Sequence, residues 1–487
     1  MVILMRLSRS SQFQVLGLVL VLGGFLLSCV LWVLIALAVI TIQNRYLGYA
    51  LIAIFFLWIL VVVALGSLLY GRRYLLARYI RSIVKSGGSR RVVPERLEVR
   101  TGADLQDIPD DFLKKGTEPN VLFVSSNGAG LGHLTRLMAI ARRLKCNTSF
   151  FSFSKGYRAV SQLGWKITYF PSYDKERISR SLWGSRLTAA FRSCLITSQA
   201  DAVVFDGTHV YPELTEICRY HGIPLVWSQR GLWKAESFRR SWQRHDPQLV
   251  CDHLLIPGDY AGEDLHGYPD RPFQKKYNPV IFFDLDECLS SIDARIALEL
   301  PEGPKYILIQ LGAGTINQTD EFERVVVESV RVISPNWVPV LVRSELSSSN
   351  RAPEGALLRR CYPMGRYYNA FDAAVVAGGY NSVQEVVSYC LPALIIPNLY
   401  TKTDDQELRA KRLVDAGLIL STTASHELFD KLSLLVSDDV RIAMRERMAN
   451  VKKENGAHAM AEDIYRIALS SKEWWPIISE PSSASSG

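Results

Sequence analysis

The pattern of apolar and polar positions changes character along the chain. From Phe13 to Ile42 no charged residue occurs, and after the polar break Gln43-Asn44-Arg45 a second uncharged run extends from Tyr46 to Tyr70. Each run exceeds the roughly 20 residues that cross a bilayer core. A secretory signal has an apolar stretch of only about 7 to 15 residues and a small-residue cleavage site, which two long runs back to back do not resemble. The pattern predicts a transmembrane helical hairpin. A pair of buried core helices is the other reading, and such helices rarely stay free of charge over this length. Arg6 and Arg9 precede the first run, Arg45 lies between the two, and Arg72, Arg73, Arg78, Arg81 and Lys85 follow the second. The positive-inside bias therefore places both termini in the cytoplasm: a multi-pass membrane protein of two spans with its later domains on the cytoplasmic side.

The pattern from Asn120 onward is different. Short β-type runs alternate with helical ones: Asn120–Ser126, a helix through Arg143, Thr148–Phe153, a helix near Lys155 to Gly164, and Ile167–Phe170. Ala200–Gly207, a helix over Tyr211–Gly222 and Ile223–Gln229 follow. A second series begins with Tyr306–Gly314 and continues through a helix over Glu321–Ile333, strands at Val338–Arg343 and Ala373–Gly379, a helix over Ser382–Cys390, and Pro392–Pro397. Such alternation predicts parallel sheets with helices on both faces, here as two tandem Rossmann-like α/β domains with a ligand cleft between them. The expected organisation is a hairpin with a basic juxtamembrane helix over 1–85, a linker over 86–119, a first domain over 120–280, a second over 281–470, and a tail over 471–487.

Charge and cysteine content refine this picture. Of the net +8, much sits between Gly71 and Pro94, where no acidic residue occurs, as suits a helix lying on anionic headgroups; a solvated basic linker is the alternative. The eight cysteines are scattered without a CxxC, so neither a disulfide framework nor a metal site is indicated.

The stretch Asn120–Leu144 carries a strand, Gly128, Gly130 and Gly132, then His133. A dinucleotide fingerprint needs its third glycine one residue later and an acidic residue about 20 positions on. Here His133 takes the glycine's place, and no Asp or Glu occurs from Gly128 to Pro171. A phosphate-binding P-loop fails as well, because no Lys-Ser/Thr pair closes the turn. At Phe282–Leu289, Asp284 and Asp286 mimic the nucleophile and acid of haloacid-dehalogenase-type phosphatases. Glu287 and Cys288 break that pattern, which favours loop carboxylates.

The combination of GAGLGHLTR with AGGYNSVQEVVSYCLPALIIP resembles the GT-B glycosyltransferases, specifically the inverting MurG-like and UDP-glycosyltransferase group, over roughly Asn120 to Leu469. The resemblance implies a GT-B fold and sugar transfer from a nucleotide sugar, with no cofactor and no metal. The donor, a UDP-sugar by this resemblance, would be held by Gly378, Gly379, Asn381, Ser382 and Glu385, by Asp405 and Gln406, by Gly312, Gly314 and Thr315, and by Tyr362 and Met364 around the base. Independently of any family, glycine lets backbone approach a diphosphate and free N–H groups opening a helix favour an anion. The chain departs from the group at Ala377, where a phosphate-binding histidine is common. His133 matches the group's general base and Asp206 its partner; Gly130, Gly132, Arg136 and Arg230 fall on the acceptor side. From the residues alone, His133 as a helix cap and Asp206 as an N-cap remain open.

Two stretches, Arg177–Arg192 and Gln229–Arg244, interleave arginine with Trp, Phe and Leu. They suit a bilayer surface and a lipid-linked phosphate, and nucleic acid uses similar patches; the adjoining hairpin favours lipid. The expected partners are thus the bilayer, a nucleotide sugar and a lipid-linked or glycolipid acceptor, with no nucleic acid. A homo-oligomer or a partner glycosyltransferase stays open. The rival readings are a degenerate glycosyltransferase acting as a membrane scaffold, which Ala377 keeps open, and a nucleotide-sugar epimerase of the same fold.

Overall fold

A computed structural model of the chain describes residues 118–126, 131–262, 271–312, 319–343 and 351–472. The expected hairpin over 1–85 and nearly all of the linker and tail lie outside these residues. Among the described residues no helix is long and apolar enough to cross a membrane.

The first half runs β1 (Asn120–Ser125), α1 (Gly132–Ala141), β2 (Asn147–Ser152), α2 (Tyr157–Gln162), β3 (Lys166–Tyr169), α3 (Arg180–Ser198), β4 (Ala202–Asp206), α4 (Pro212–His221), β5 (Leu225–Ser228), α5 (Ala235–Arg240), α6 (Trp242–His245), β6 (His253–Ile256) and β7 (Gln274–Lys276). Its seven strands form one parallel sheet in the order β3-β2-β1-β4-β5-β6-β7. The second half runs α7 (Ser291–Ala297), β8 (Lys305–Gln310), α8 (Thr319–Ile333), β9 (Trp337–Arg343), β10 (Leu357–Arg360), β11 (Ala373–Ala377), α9 (Tyr380–Ser388), β12 (Ala393–Ile396), α10 (Gln406–Asp415), β13 (Leu420–Ser421), α11 (Leu428–Val436), α12 (Asp438–Val451) and α13 (Gly456–Lys472). Its six strands are likewise parallel, ordered β10-β9-β8-β11-β12-β13.

The central strands are unbroken apolar runs because helices cover both their faces. Val121–Val124 and Ala373–Val376 are all buried. One face of the first sheet packs Phe123 and Val204 against Leu134, Leu137 and Met138 of α1, and the other packs Leu122 and Phe205 against Trp183, Leu187 and Phe191 of α3. Strand order reverses between β1 and β4 in the first sheet and between β8 and β11 in the second. Crevices open at such switch points, beyond the carboxyl ends of the strands.

The last helix does not stay with the span that precedes it. Ala457, Met460, Ala461, Ile464 and Ala468 of α13 recur at helical spacing and join the core of the first sheet, beside Phe123 and Leu137. Tyr277 donates to Asp463 at 2.6 Å beneath them. Dividing the chain at residue 280 places this helix in the second span by sequence, whereas its apolar stripe is covered by the first sheet.

Candidate active site

The first switch point assembles four side chains from three elements. His133 is the second residue of α1, and Asp206 closes β4. Their Nδ1 and Oδ1 atoms lie 2.6 Å apart. Arg136, three residues beyond His133 and so on the same helix face, donates from Nε to Asp206 Oδ2 at 2.7 Å and from Nη2 to Oδ1 at 2.6 Å. Ser228, ending β5, donates to Oδ2 at 3.0 Å. Burial opposes the charge on Asp206, but the Arg136 guanidinium and then the hydrogen bond with His133 outweigh it and hold the carboxyl at about 2. Burial likewise opposes the charge of Arg136, and Asp206 overcomes it, so the guanidinium is pinned in its charged form.

The two cap readings are thereby settled in structural terms. The residue capping α1 is Leu131, without a side-chain cap bond, and the Asp206 carboxylate turns to His133 and Arg136. Arg136, expected on the acceptor side, lines the same pocket as His133 but is 3% exposed, with both oxygens of Asp206 on its fork. Arg230 does line the pocket with His133, Thr208, Ser228 and Trp233, but its guanidinium crosses to Asp404 of the second half at 2.5 Å. Gly130, Gly314 and Thr315 lie outside the described residues.

On the second half, α9 starts at Tyr380 behind Gly379, two residues earlier than the pattern predicted, so Asn381 and Ser382 form its first turn. A Cβ on Gly379 would meet nothing within 4 Å, whereas one on Gly378 would lie 3.0 Å from Pro397 Cα and 3.1 Å from Gln406 Oε1. Gly379 therefore presents open backbone and Gly378 is needed for packing. Asn381 Nδ2 donates to Gly132 O at 3.0 Å, and Tyr362 OH lies 2.7 Å from Thr135 Oγ1. The opening turn of α9 and the segment at Tyr362 thus both touch α1. Gly312, after β8, has φ of +98° and is exposed, which suits a glycine turn.

Glu385 lies inside this half rather than on a helix surface. Its Oε2 accepts from Tyr368 OH at 3.1 Å, and a Cβ on Gly365 would lie 3.5 Å from its Oε1. Burial pushes its carboxyl up to about 7, against the pull of hydrogen bonds from Tyr368 and the Phe282 backbone. Met364 is buried. Asp405 and Gln406 are engaged internally: Asp405 caps α10 by accepting from Leu408 N at 3.0 Å, and Gln406 Oε1 accepts from Asn398 N at 2.9 Å.

Sequence reasoning missed the residue that carries the charge here, Asp404. It pairs with Arg230 and with Arg409, the latter through Nη2 at 2.9 Å, and Arg409 also holds Asp259 of the first half at 2.8 Å and the Gly378 carbonyl at 3.1 Å. Two cations and two carboxylates are therefore buried as a matched set between the halves. Burial opposes the charge on Asp404, yet Arg230 and Arg409 hold its carboxyl at about 2. The available signal was an Arg one helical turn into α10, on the side facing a preceding acidic residue.

The phosphatase-like motif has a structural use. The Asp284 side chain and Glu287 form a capping box around the turn Leu285–Glu287, and Asp284 also pairs with Arg143 and His458.

Residues 360–464 match the glycosyltransferase family 28 C-terminal domain. The chain is similar to the UDP-N-acetylglucosamine--N-acetylmuramyl-(pentapeptide) pyrophosphoryl-undecaprenol N-acetylglucosamine transferase of Symbiobacterium thermophilum, 26% identical over 192 residues, which is 37% of this chain and 50% of that protein. The enzyme of the same description from Bacillus licheniformis is 25% identical over 187 residues, 35% of this chain and 49% of that protein. The chain thus spans about half the length of the curated relatives it matches. Among solved structures, the glycotransferase of kitacinnamycin superposes with a TM-score of 0.51 at 16% identity, covering 72% of this chain and 100% of that one. The spinosyn forosaminyltransferase SpnP superposes with a TM-score of 0.51 at 14% identity, covering 72% and 99%. These two likenesses bear on fold, which is that of GT-B glycosyltransferases.

Proposed function

We propose that this chain, which belongs to the MurG-like and UDP-glycosyltransferase group of GT-B proteins, moves a sugar from a nucleotide-sugar donor to a lipid or lipid-linked acceptor at the cytoplasmic membrane face. The observation that carries the reading is the meeting of two features: the His133–Asp206 pair at one switch point, and the opening turn of α9 against Gly132 at the other. One supplies a base and the other an anion site.

In this reading the Asp206 carboxylate accepts from Nδ1–H, which leaves Nε2 with a lone pair. Nε2 takes the proton of the acceptor hydroxyl as that oxygen bonds to the anomeric carbon. The bond from that carbon to the diphosphate oxygen breaks, and the nucleotide diphosphate leaves with the electron pair. Attack opposite the leaving group inverts the anomeric centre. The free N–H groups of the first turn of α9 and its dipole would stabilise the diphosphate, without a metal, and Gly379 leaves the backbone there uncovered. Ala377 places this task on backbone amides alone. The nucleotide base would lie against Tyr362–Met364 and the ribose diol against Glu385, whose carboxylate adjoins that segment through Gly365.

Glu385 makes the donor side testable. A ribose diol donates to an ionised carboxylate, so the affinity for UDP should rise with pH through about 7, where Glu385 loses its proton. Glu385→Gln should flatten that rise and weaken binding by about 1 to 3 kcal/mol above it, the cost of losing hydrogen bonds to a charged group. Calorimetry across pH with UDP and other nucleotides measures both; an unchanged profile would remove Glu385 from the donor site.

Membrane anchoring belongs to the same reading, supported by the two uncharged runs and their flanking arginines. On the solvent side of α3 lie Leu182, Arg186, Arg192 and Ile196, and beside α5 lie Arg239, Arg240 and Trp242, a mixture suited to a headgroup layer. Reporter fusions after Gly71 should report a cytoplasmic location and fusions at Asn44 an external one. The opposite pattern would place the catalytic halves away from cytosolic donors and overturn the topology.

A further inference from the structure

We infer that Arg136 is a positioning residue that keeps His133 in its uncharged, proton-accepting form, an inference that rests on reading His133 as the base. A carboxylate 2.6 Å from an imidazole does two opposed things. It fixes the tautomer by accepting from Nδ1–H, and it also favours the imidazolium, which has no lone pair left to act as a base. A buried carboxylate does the second strongly, because little water screens it. Asp206 is fully buried.

Arg136 separates the two effects. Its fork occupies both oxygens of Asp206, at 2.7 and 2.6 Å, and Ser228 adds a third donor at 3.0 Å. Asp206 therefore still orients the ring, while its charge is matched by the guanidinium. The same Nη2 stands 3.3 Å from His133 Nδ1, so a positive charge on the ring would face a second cation close to contact. Among the described residues, Arg230 lines the same pocket and pairs with Asp404 at 2.5 Å, and Arg409 and Asp259 complete that set as two cations and two carboxylates.

Arg136 is itself held by the second half. Its guanidinium carbon lies 5.0 Å from the centre of the Tyr380 ring, and Tyr380 OH donates to Gly258 O at 2.7 Å while accepting from Val280 N at 3.1 Å. Tyr380 is the first residue of α9, so the cation that tunes the base is stacked on the opening turn proposed to hold the diphosphate.

The test reads the charge of His133 directly, in the full-length protein in detergent. Diethyl pyrocarbonate acylates uncharged imidazole, and the His133 peptide is followed by mass spectrometry across a pH series around neutrality. Arg136→Gln should move the midpoint of the reaction up by about one pH unit, because the carboxylate loses its counter-charge. Asp206→Asn should move it down by about as much, because the guanidinium loses its own. The double variant, with both charges removed, should return near the wild-type midpoint, and Arg136→Lys, which retains the charge, should stay there. If Arg136→Gln does not fold, Asp206→Asn and the double variant carry the comparison, since the double variant leaves no unpaired charge and the guanidinium left by Asp206→Asn keeps the Tyr380 ring against it. Equal midpoints in those two, or a Lys variant that moves as far as Gln, would overturn the inference. The labelling needs no turnover. Undiminished transfer by His133→Ala would remove the base on which the inference stands, whereas diminished transfer with unmoved midpoints would sink the role of Arg136 alone.

Discussion

His133→Ala is expected to lower the rate of sugar transfer by about 10²- to 10⁴-fold, the usual contribution of a general base, equivalent to about 3 to 5 kcal/mol in the barrier. Nucleotide affinity should stay nearly intact, because the proposed donor contacts lie on β11, α9 and the segment at Tyr362, in the other half. Asp206→Asn should cost less, since the amide still places an oxygen near Nδ1 but no longer supports the charge that develops on the ring. Transfer from UDP-sugars to membrane lipid extract, with calorimetric UDP binding on the same preparations, separates the two quantities. Wild-type transfer by His133→Ala would return the histidine to a structural role, and a parallel loss of nucleotide binding would mean that the substitution disturbs both halves.

Arg409→Met is expected to destabilise the folded protein by about 3 to 5 kcal/mol, the range for removing one partner of a buried ion pair. Arg409 is 0% exposed and serves Asp259, Asp404 and the Gly378 carbonyl together. Without it Asp259 keeps only the Gln384 amide and the Ala261 N–H on its Oδ1, and Asp404 keeps Arg230 and the Gln406 amide. Because Asp259 comes from the first half and Arg409 from the second, the loss also loosens their junction. Urea denaturation of the full chain, read separately by tryptophan fluorescence and by proteolysis, should show the lowered midpoint; a loss below about 1 kcal/mol would mean that water already enters the cluster. Acid acts on Asp404 in this set and on Asp206 beside His133. Asp404 and Asp206 have carboxyls held below their ordinary 3.8, near 2, so the stability they contribute is fully present above about pH 4 and is lost as pH falls through 2.

Much of this molecule can be read from local pattern. β1 and β11 are apolar over their whole length, as only strands covered on both faces are, and that property belongs to the segment itself. The alternation of such strands with helices implied two parallel sheets before any contact was known. The Gly378-Gly379 pair before α9 was legible as a turn, since a turn is made by neighbouring residues. His133 and Asp206 could each be placed at the end of a strand or the start of a helix, and the resemblance joined them.

Other features depend on which distant segment arrives where. Arg136 and Arg230 fall on the acceptor side by the resemblance, which does not say what either one pairs with. One is consumed by Asp206, 70 residues away, and the other by Asp404, 174 residues away. Asp404 and Asp405 are indistinguishable in sequence; the start of α10 decides between them, turning the second to cap the helix and leaving the first to face the buried arginines. Position on the helix Ser382–Cys390 does not say how deeply Glu385 lies; it is buried beside Tyr368, and that burial raises its carboxyl to about 7 against the hydrogen bonds from Tyr368 and the Phe282 backbone. The apolar positions of α13 recur at helical spacing, but a stripe names no partner, and only the packed structure shows it covered by the first sheet. The sequence by itself determined the secondary elements, their parallel arrangement and the glycine turns between them, because these follow from the periodicity and backbone freedom of contiguous residues. The tertiary structure alone decided which charges are paired, and therefore which are free to act, because burial and Coulomb energy depend on distances that contiguity does not set.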